Sequence, residues 1–131
     1  MTLSDNEIIM NVNLDLISIF PFKKDNVQPA SYDLRLGRDF LKIKEGQIIT
    51  SKKEVEYVRL NEKGIILEPN DFILGTTLEK IKLPDNIVGQ LSGKSSWGRR
   101  GLKIENAGFI EQFAKQEKLC AHANSIKERR L

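Results

Sequence analysis

The chain has 131 residues, 40% of them hydrophobic and 30% charged, values that are typical of one soluble globular domain. A formal charge of +3 is compatible with an anionic ligand but falls short of the clustered basic surface that nucleic acids require. Because no apolar run is long enough to span a bilayer and the first ten residues do not resemble a signal peptide, we expect a cytoplasmic protein without a membrane partner.

Cysteine and histidine are rare, which limits the possible metal chemistry. The chain contains one cysteine, Cys120, and one histidine, His122. A single cysteine excludes a disulfide within the chain, and the two residues cannot supply three His or Cys ligands to a zinc ion. We therefore expect no zinc site within one chain. Across a subunit interface the pair could still bind a metal, the alternative being an ordinary surface pair.

The N-terminal residues carry a helix start signal. Ser4 is followed three residues later by Glu7, which forms the pattern of a capping box, and the apolar residues 8–10 come next. This pattern predicts a short N-terminal helix. Residues 11–22 mix apolar side chains with Pro21 and predict a strand and a turn.

Short strand-like segments follow one another along most of the remaining chain. Polar and apolar residues alternate over 32–36, where Gly37 is expected to end the strand, and again over 40–43. Further strand-like segments lie at residues 65–67, 72–74, 76–83 and 87–91, with turns at Pro69-Asn70 and at residues 84–86. Strands spaced about ten residues apart, without intervening helices, predict an all-β barrel or jelly roll.

The last residues differ in composition from the rest. Residues 111–131 contain no Gly and no Pro, and segments 114–119 and 121–130 predict helix on propensity alone. We therefore divide the chain into a β domain over residues 1–110 and a divergent tail over residues 111–131, helical or disordered. The barrel is then expected to be incomplete at its C-terminus.

The segment GKSSWGRRGL, residues 93–102, combines cationic and hydroxyl side chains with three glycines and indicates an anionic ligand. Residues 89–95 read GxxxGKS, one residue short of the spacing that a P-loop needs to curl around phosphates. Gly98 and Gly101 also interrupt the position where the helix of a P-loop would run. The sequence therefore argues against a P-loop.

Three segments together resemble the dCTP deaminase family, which belongs to the trimeric dUTPase-like superfamily. They are QPASYDLRLG at 28–37, LEPNDFILGTTLEKIKLPDNIVGQLSGKSSWGRRGL at 67–102 and ENAGFI at 105–110. They stand in the order and at the spacing of the family, and the resemblance extends from Leu3 to Ile110. It implies a distorted β jelly roll with a short N-terminal helix, assembled as a homotrimer.

The resemblance implies that residues 93–102 bind the triphosphate of a deoxynucleotide. Ser95 and Arg99 match family residues that contact the triphosphate across a subunit interface, and Lys94 and Ser96 are neighbouring positions of the same motif. The chemistry agrees, because an arginine makes charge-assisted, often bidentate hydrogen bonds to phosphate oxygens. Hydroxyls and backbone N–H groups near glycines can complete such a site.

Four residues inside the matching segments receive other roles. Trp97 and Arg100 stand where relatives carry a smaller apolar and an aliphatic residue, so we assign Trp97 to packing or an interface and expect no ligand role for Arg100. Asp33 and Arg35 lie in a segment that is largely structural in the family. We expect them to form a buried polar network, with direct ligand contact as the alternative.

The second half of the site matches the family only in part. Asn106 and Ala107 match the segment whose backbone lines the pocket for base and sugar. The catalytic glutamate of the family, which activates water and passes a proton to the departing ammonia without a metal, has no clear match. Glu111, at the acidic position after AGFI, is the candidate, and Glu117 is a second carboxylate nearby. One alignment puts Cys120 at the catalytic position, where it cannot replace a carboxylate.

The resemblance implies hydrolytic deamination of dCTP to dUTP and ammonia, with Mg²⁺ bound through the triphosphate. One alternative is hydrolysis of dUTP to dUMP on the same scaffold, with Glu111 positioning the attacking water. Another is a catalytically silent protein that binds the nucleotide. The identity of the product separates the two enzymes, and binding without turnover would indicate the third possibility.

Overall fold

The computed structural model describes residues 1–43, 56–59, 63–105, 109–110, 118–123 and 129–130. In chain order, the elements are α1 Asp5–Asn13, β1 Ser18–Phe20, the 3₁₀ turn Lys24–Asn26, β2 Val27–Gln28, β3 Ser31–Tyr32, β4 Leu36–Ile43, β5 Glu56–Arg59, β6 Ile66–Leu67, β7 Phe72–Thr77, β8 Lys80–Lys82, β9 Gly89–Gln90, α2 Ser95–Gly98, β10 Leu102–Glu105, β11 Phe109–Ile110, β12 Lys118–Ala123 and β13 Arg129–Arg130. Strands dominate, and the prediction of an all-β fold with a short N-terminal helix is confirmed.

The strands form one larger sheet and several pairs. The larger sheet has the order β10-β12-β7-β4-β5, and the two-stranded sheets are β1-β8, β11-β9, β13-β6 and β2-β3. The chain divides into two compact units, described separately below. The first comprises Met1–Gly37, Thr77–Leu91 and Gly108–Glu117, and the second comprises Arg38–Thr76, Ser92–Ala107 and Lys118–Leu131.

The first unit begins with the predicted helix. The Ser4 backbone N–H donates to Glu7 Oε2 at 2.8 Å, and the Glu7 backbone N–H donates to Ser4 Oγ at 3.4 Å. These two bonds satisfy N–H groups that have no acceptor inside the helix, and they confirm the capping box. The hydrophobic core of this unit consists of Ile17, Ile19, Ile81 and Leu83, to which the antiparallel pair β1-β8 contributes Ile19 and Ile81.

The second unit contains the core of the larger sheet. Its buried apolar residues are Phe40, Ile65, Leu67, Ile73 and Leu102. Gly75 lies inside β7, against the ring of Phe40. A Cβ atom at this position would stand 2.6 Å from Cε1 of Phe40. A side chain at this position would therefore collide with the centre of the core.

Two strand predictions are wrong in their limits. Residues 33–35 belong to no strand, and β4 begins at Leu36 and continues through Gly37, so Gly37 does not end a strand. The strand expected over residues 76–83 is broken by a bend between β7 and β8. At this bend the Leu78 backbone N–H donates to the carbonyl of Arg35 at 2.8 Å, a bond to a distant segment that replaces continued pairing.

The helix predicted on propensity for the last residues is wrong for Lys118–Ala123, which form β12. This strand is antiparallel to β10 on one side and to β7 on the other, with Ala121 opposite both Ile104 and Ile73. Backbone pairing on both edges outweighs a preference of a few tenths of a kcal/mol per residue, roughly the size of helix propensity differences. The proposed division of the chain at residue 110 stays a prediction.

Candidate functional site

The segment with the phosphate-binding pattern forms a single helical turn in the second unit. Helix α2 begins after Lys94, whose backbone is extended (φ −67°, ψ 129°), and ends at Gly98. Arg99 keeps helical angles, and its N–H donates to the carbonyl of Ser95 at 2.9 Å. Residues four apart in a helical turn lie on the same face, so Ser95 and Arg99 are neighbours. The helix is too short for a P-loop, as the sequence indicated.

Both ends of this turn are connected to β10. A Cβ atom at Gly93 would stand 3.2 Å from Cβ of Ile104, so the chain before the turn passes close to that strand. After the turn, Gly101 adopts a positive φ of 84°, which favours glycine, and Leu102 enters the core as a buried residue. The turn is therefore fixed at its two ends.

Between these ends the side chains are accessible to solvent. Residues 92–100 are all exposed. The stretch 86–104 contains four cationic residues and no aspartate or glutamate, so its local charge is positive; the cations are Lys94, Arg99, Arg100 and Lys103. A cation that remains in water keeps its hydration until a ligand arrives. The turn is thus chemically suited to an anion with several charges.

The two adjacent arginines have different surroundings. The Arg100 guanidinium carbon lies 5.4 Å from the centroid of the Trp97 ring, within the range of a cation–π interaction. The Trp97 side chain remains 39% exposed. Arg99 is instead placed on the face that carries Ser95. The expectation that Arg100 has no ligand role is compatible with this contact.

The structure describes four of the predicted site residues and not the others. Lys94, Ser95, Ser96 and Arg99 come together on the exposed turn. Asn106, Ala107 and Glu111 lie outside the described residues, as does Glu117. The assignments for the base pocket and for the catalytic carboxylate therefore stay predictions, and so do the roles given to the residues of the turn.

A second charged cluster lies in the first unit, around a carboxylate that sequence reasoning missed. Glu79 is completely buried, its Oε1 accepts from Arg35 Nε at 2.7 Å, and its Oε2 accepts from the Arg35 backbone N–H at 2.9 Å. Arg35 Nη2 also donates to the carbonyl of Pro21 at 3.1 Å. Glu79 is thus a carboxylate partner of Arg35 that the sequence analysis does not name, and the network of Asp33 with Arg35 stays a prediction.

The sequence did contain a signal for Glu79. Alternate residues from 73 to 83 are all buried, and Glu79 stands in phase with Ile73, Thr77 and Ile81. A carboxylate in phase with core residues must be paired, because an unpaired buried charge is costly. Its partner therefore had to be a cation or a set of N–H donors. This cluster connects segments of the first unit and has the character of a structural element.

Among the described residues, two side chains with shifted pKa values, Glu7 and Tyr57, lie outside residues 92–103. Hydrogen bonds from the backbone and side chain of Ser4 lower the pKa of Glu7. The pKa of Tyr57 is raised, chiefly because its hydroxyl donates to the carboxylate of Asp39 on the neighbouring strand β4. Neither group belongs to the motif of the turn.

The described part of the chain shows neither a metal-binding cluster nor a membrane-spanning helix. Among these residues, no group of three or more His, Cys, Asp or Glu side chains is placed to hold a metal ion. No helix in the described ranges is both long and apolar enough to cross a membrane.

Comparisons with known proteins define first the class of the chain and then its family. A 2′-deoxycytidine 5′-triphosphate deaminase from Agrobacterium tumefaciens superposes with a TM-score of 0.74 at 22% identity, covering 97% of this chain and 43% of that one. This likeness shows a shared fold. The family model described as dCTP deaminase-like matches residues 2–116, and the chain belongs to this family. The resemblance stated from the sequence is confirmed.

Two relatives have similar sequences. The "dCTP deaminase, dUMP-forming" of Sulfurihydrogenibium sp. (strain YO3AOP1) is 41% identical over 117 residues, and the protein of the same description from Persephonella marina is 39% identical over 117 residues. Each match covers 85% of this chain and 65% of the relative. The chain thus spans just under two thirds of the length of these proteins.

Proposed function

We propose that this protein is a nucleotide hydrolase that deaminates dCTP, and that its α2 turn binds the triphosphate. The observation that carries the proposal is the exposed turn, in a chain of the dCTP deaminase-like family, on which Ser95 and Arg99 share one face after Lys94. Arg99 can bridge two phosphate oxygens, and the Ser95 hydroxyl can donate to a third. Lys94 would add a positive charge at the start of the turn.

In the proposed reaction, water adds to C4 of the cytosine ring, the C–N bond to the amino group breaks, and dUTP and ammonia are formed. A general base takes a proton from the water and returns one to the departing nitrogen. Glu111 is our candidate for this group. Asn106 and Ala107 would supply backbone next to the base and sugar. As in trimeric relatives of this superfamily, a neighbouring copy would complete the site in a homotrimer.

Mg²⁺ would enter the site with the nucleotide. The side chains of the turn are cationic or hydroxyl groups, which suit phosphate oxygens, whereas Mg²⁺ prefers carboxylate and water ligands. The ion would therefore be held by the triphosphate and would neutralise part of its charge. No step of the deamination is assigned to it.

A second candidate is the formation of dUMP, which the descriptions of both relatives name as their product. Here hydrolysis between the α- and β-phosphates would follow deamination and release pyrophosphate. Chromatography of a reaction with dCTP and Mg²⁺ separates dUTP from dUMP, while a coupled assay measures ammonia. Ammonia with dUTP supports the first proposal, ammonia with dUMP supports the second, and binding without ammonia leaves a nucleotide-binding protein.

The phosphate assignment is tested by comparing Arg99→Ala with Arg38→Ala. Arg38 is an exposed arginine of the same unit, on β4, and controls for the loss of one positive charge. We expect Arg99→Ala to weaken binding of Mg²⁺–dCTP by about 1.5–3 kcal/mol, the scale of a hydrogen bond to a charged group. Calorimetric titration measures both dissociation constants. An unchanged constant in Arg99→Ala would overturn the assignment.

A further inference from the structure

The proposed function leaves one contact of the turn unused, the one between Trp97 and Arg100. A single helical turn is not stable by itself, because the conformational entropy lost in fixing its first residues exceeds the stabilisation from its few hydrogen bonds. Gly98 lies within this turn and Gly101 follows it, which adds backbone freedom. The side chains of residues 92–100 are exposed, so burial in the core does not fix the middle of the turn.

The contact spans the part of the turn that carries the phosphate-binding arginine. The Arg100 N–H donates to the carbonyl of Trp97 at 3.0 Å, and the Arg100 guanidinium carbon stands 5.4 Å from the Trp97 ring centroid. Gly98 and Arg99 therefore lie between two residues that are joined by a backbone bond and by a side-chain contact. Unwinding of the segment between Trp97 and Arg100 has to break both.

We propose that Trp97 and Arg100 are positioning residues that hold the turn in the form in which Arg99 and Ser95 share one face. This inference rests on the proposed function of the turn. With its guanidinium against the indole ring, Arg100 acts on the nucleotide through the geometry of Arg99 and makes no bond to phosphate itself. Trp97 provides the surface against which the turn is fixed.

A double-mutant cycle tests the proposal, with the variants Trp97→Leu, Arg100→Leu and the combination of both. We expect each single change to weaken Mg²⁺–dCTP binding about two- to fivefold, the scale of an exposed cation–π interaction. The double variant is expected to lose no more than one single variant, because either change already removes the contact. Arg100→Lys should keep most of the affinity, since an ammonium group can also lie over an indole ring.

Two readouts separate positioning from other roles. The dependence of the dissociation constant on salt should stay close to that of the wild type for Arg100→Leu and become weaker for Arg99→Ala, because of these two arginines only Arg99 is assigned a bond to phosphate. Hydrogen exchange of the Arg99 amide, which bonds to Ser95, should become faster in both Trp97→Leu and Arg100→Leu. Arg38→Leu serves as the control for charge, and thermal unfolding verifies that each variant is folded.

The outcomes that contradict the proposal differ from those that contradict the proposed function. If Arg100→Leu weakens binding and Trp97→Leu does not, or if Arg100→Leu lowers the salt dependence, then Arg100 contacts the phosphate directly. If the single variants bind and exchange like the wild type, the contact has no positioning role. If the wild type binds no dCTP, the proposed function fails. In that case hydrogen exchange still tests the positioning role, because an unchanged exchange rate of the Arg99 amide in the variants would show that Trp97 and Arg100 do not stabilise the turn.

Discussion

Two arginines of this chain, Arg35 and Arg99, have opposite environments. In the first unit, Arg35 bonds twice to the completely buried carboxylate of Glu79. In the second unit, Arg99 lies on an exposed turn, within a stretch from 86 to 104 that contains no acidic residue. A buried charge must be paired to be tolerated, whereas a charge left in water can still be given to a ligand. Burial thus separates a charge that the fold itself uses, that of Arg35, from one that a ligand could still use, that of Arg99.

The largest expected effect comes from breaking the buried pair. Arg35→Met removes the cation and leaves the Glu79 carboxylate inside the protein with the Arg35 backbone N–H as its donor. Such losses cost 3–5 kcal/mol, and because the Arg35 side chain is 38% exposed, we expect the lower end, about 3 kcal/mol of unfolding free energy. Urea denaturation of Arg35→Met measures this loss.

The double variant Arg35→Met/Glu79→Leu sharpens the interpretation. Replacing both partners by apolar residues removes the unpaired charge, so the double variant should be more stable than Arg35→Met alone. Lys80→Met, at an exposed position of β8, is the control for a lost cation. Equal stability of Arg35→Met and Lys80→Met would show that the buried pair is not the structural element that we describe.

The sequence predicts local features of both units better than distant ones. The capping box at Ser4 depends on neighbouring residues and was predicted, and the spacing of residues 89–95 was enough to argue against a P-loop. The pairing of Arg35 with Glu79 joins residues 44 positions apart, and only the burial phase of Glu79 hinted at it. Strand β12 follows the same logic, because its structure comes from its partners β7 and β10 and opposes its own propensity.

The same limit applies to the candidate site. Residue types indicated an anionic ligand for residues 93–102, whereas the roles given to Ser95 and Arg99 came from the family resemblance and stay predictions. The contact between Trp97 and Arg100 was not predicted, although the two positions are only three apart. Without the turn geometry, nothing in the residue order favours Arg100 over Arg99 as the partner of the Trp97 indole.

Gly75 and Gly98 also have contrasting surroundings, since one is packed against the core and the other is open. Their replacement by alanine should change the free energy of unfolding in opposite directions. Gly75→Ala places a methyl group 2.6 Å from the Phe40 ring and should destabilise the protein by about 1–3 kcal/mol. Gly98→Ala meets no atom within 4 Å and should stabilise the turn by about 0.5–1 kcal/mol. Thermal and urea unfolding measure both changes.

Phe40→Leu in the Gly75→Ala background gives the matched control, because a smaller side chain should relieve part of the collision. A destabilising Gly98→Ala would contradict the open surroundings that the structure gives this residue. Nucleotide binding by Gly98→Ala gives separate information. A Cβ atom at Gly98 meets no atom of the chain within 4 Å. Weaker binding of Mg²⁺–dCTP would therefore indicate that a ligand or a neighbouring copy approaches this position closely.

Another small effect concerns Glu7, a carboxylate whose charge is already hydrogen-bonded by Ser4. Its pKa lies below the ordinary value of 4.5, since hydrogen bonds from Ser4 favour the charged form. A lowered folded pKa contributes stability that is fully present above about pH 4.5 and is lost as the pH falls through the folded value. Loss of the N-cap side chain in Ser4→Ala should cost about 1 kcal/mol at pH 7. The part of this cost that depends on the Glu7 charge should disappear in acid.

Urea unfolding of the wild type and Ser4→Ala at pH 7 and at acidic pH measures the difference, and an NMR titration follows the Glu7 carboxyl directly. In Ser4→Ala, the pKa of Glu7 should rise only part of the way towards its ordinary value. The hydrogen bond from the Ser4 hydroxyl to the carboxylate is lost, but the bond from the Ser4 backbone N–H, which is the larger cause, remains. Thr2→Ala, at an exposed position before the cap, should change neither quantity. A stability difference that stays constant into acid would mean that Ser4 stabilises the helix without help from the Glu7 charge.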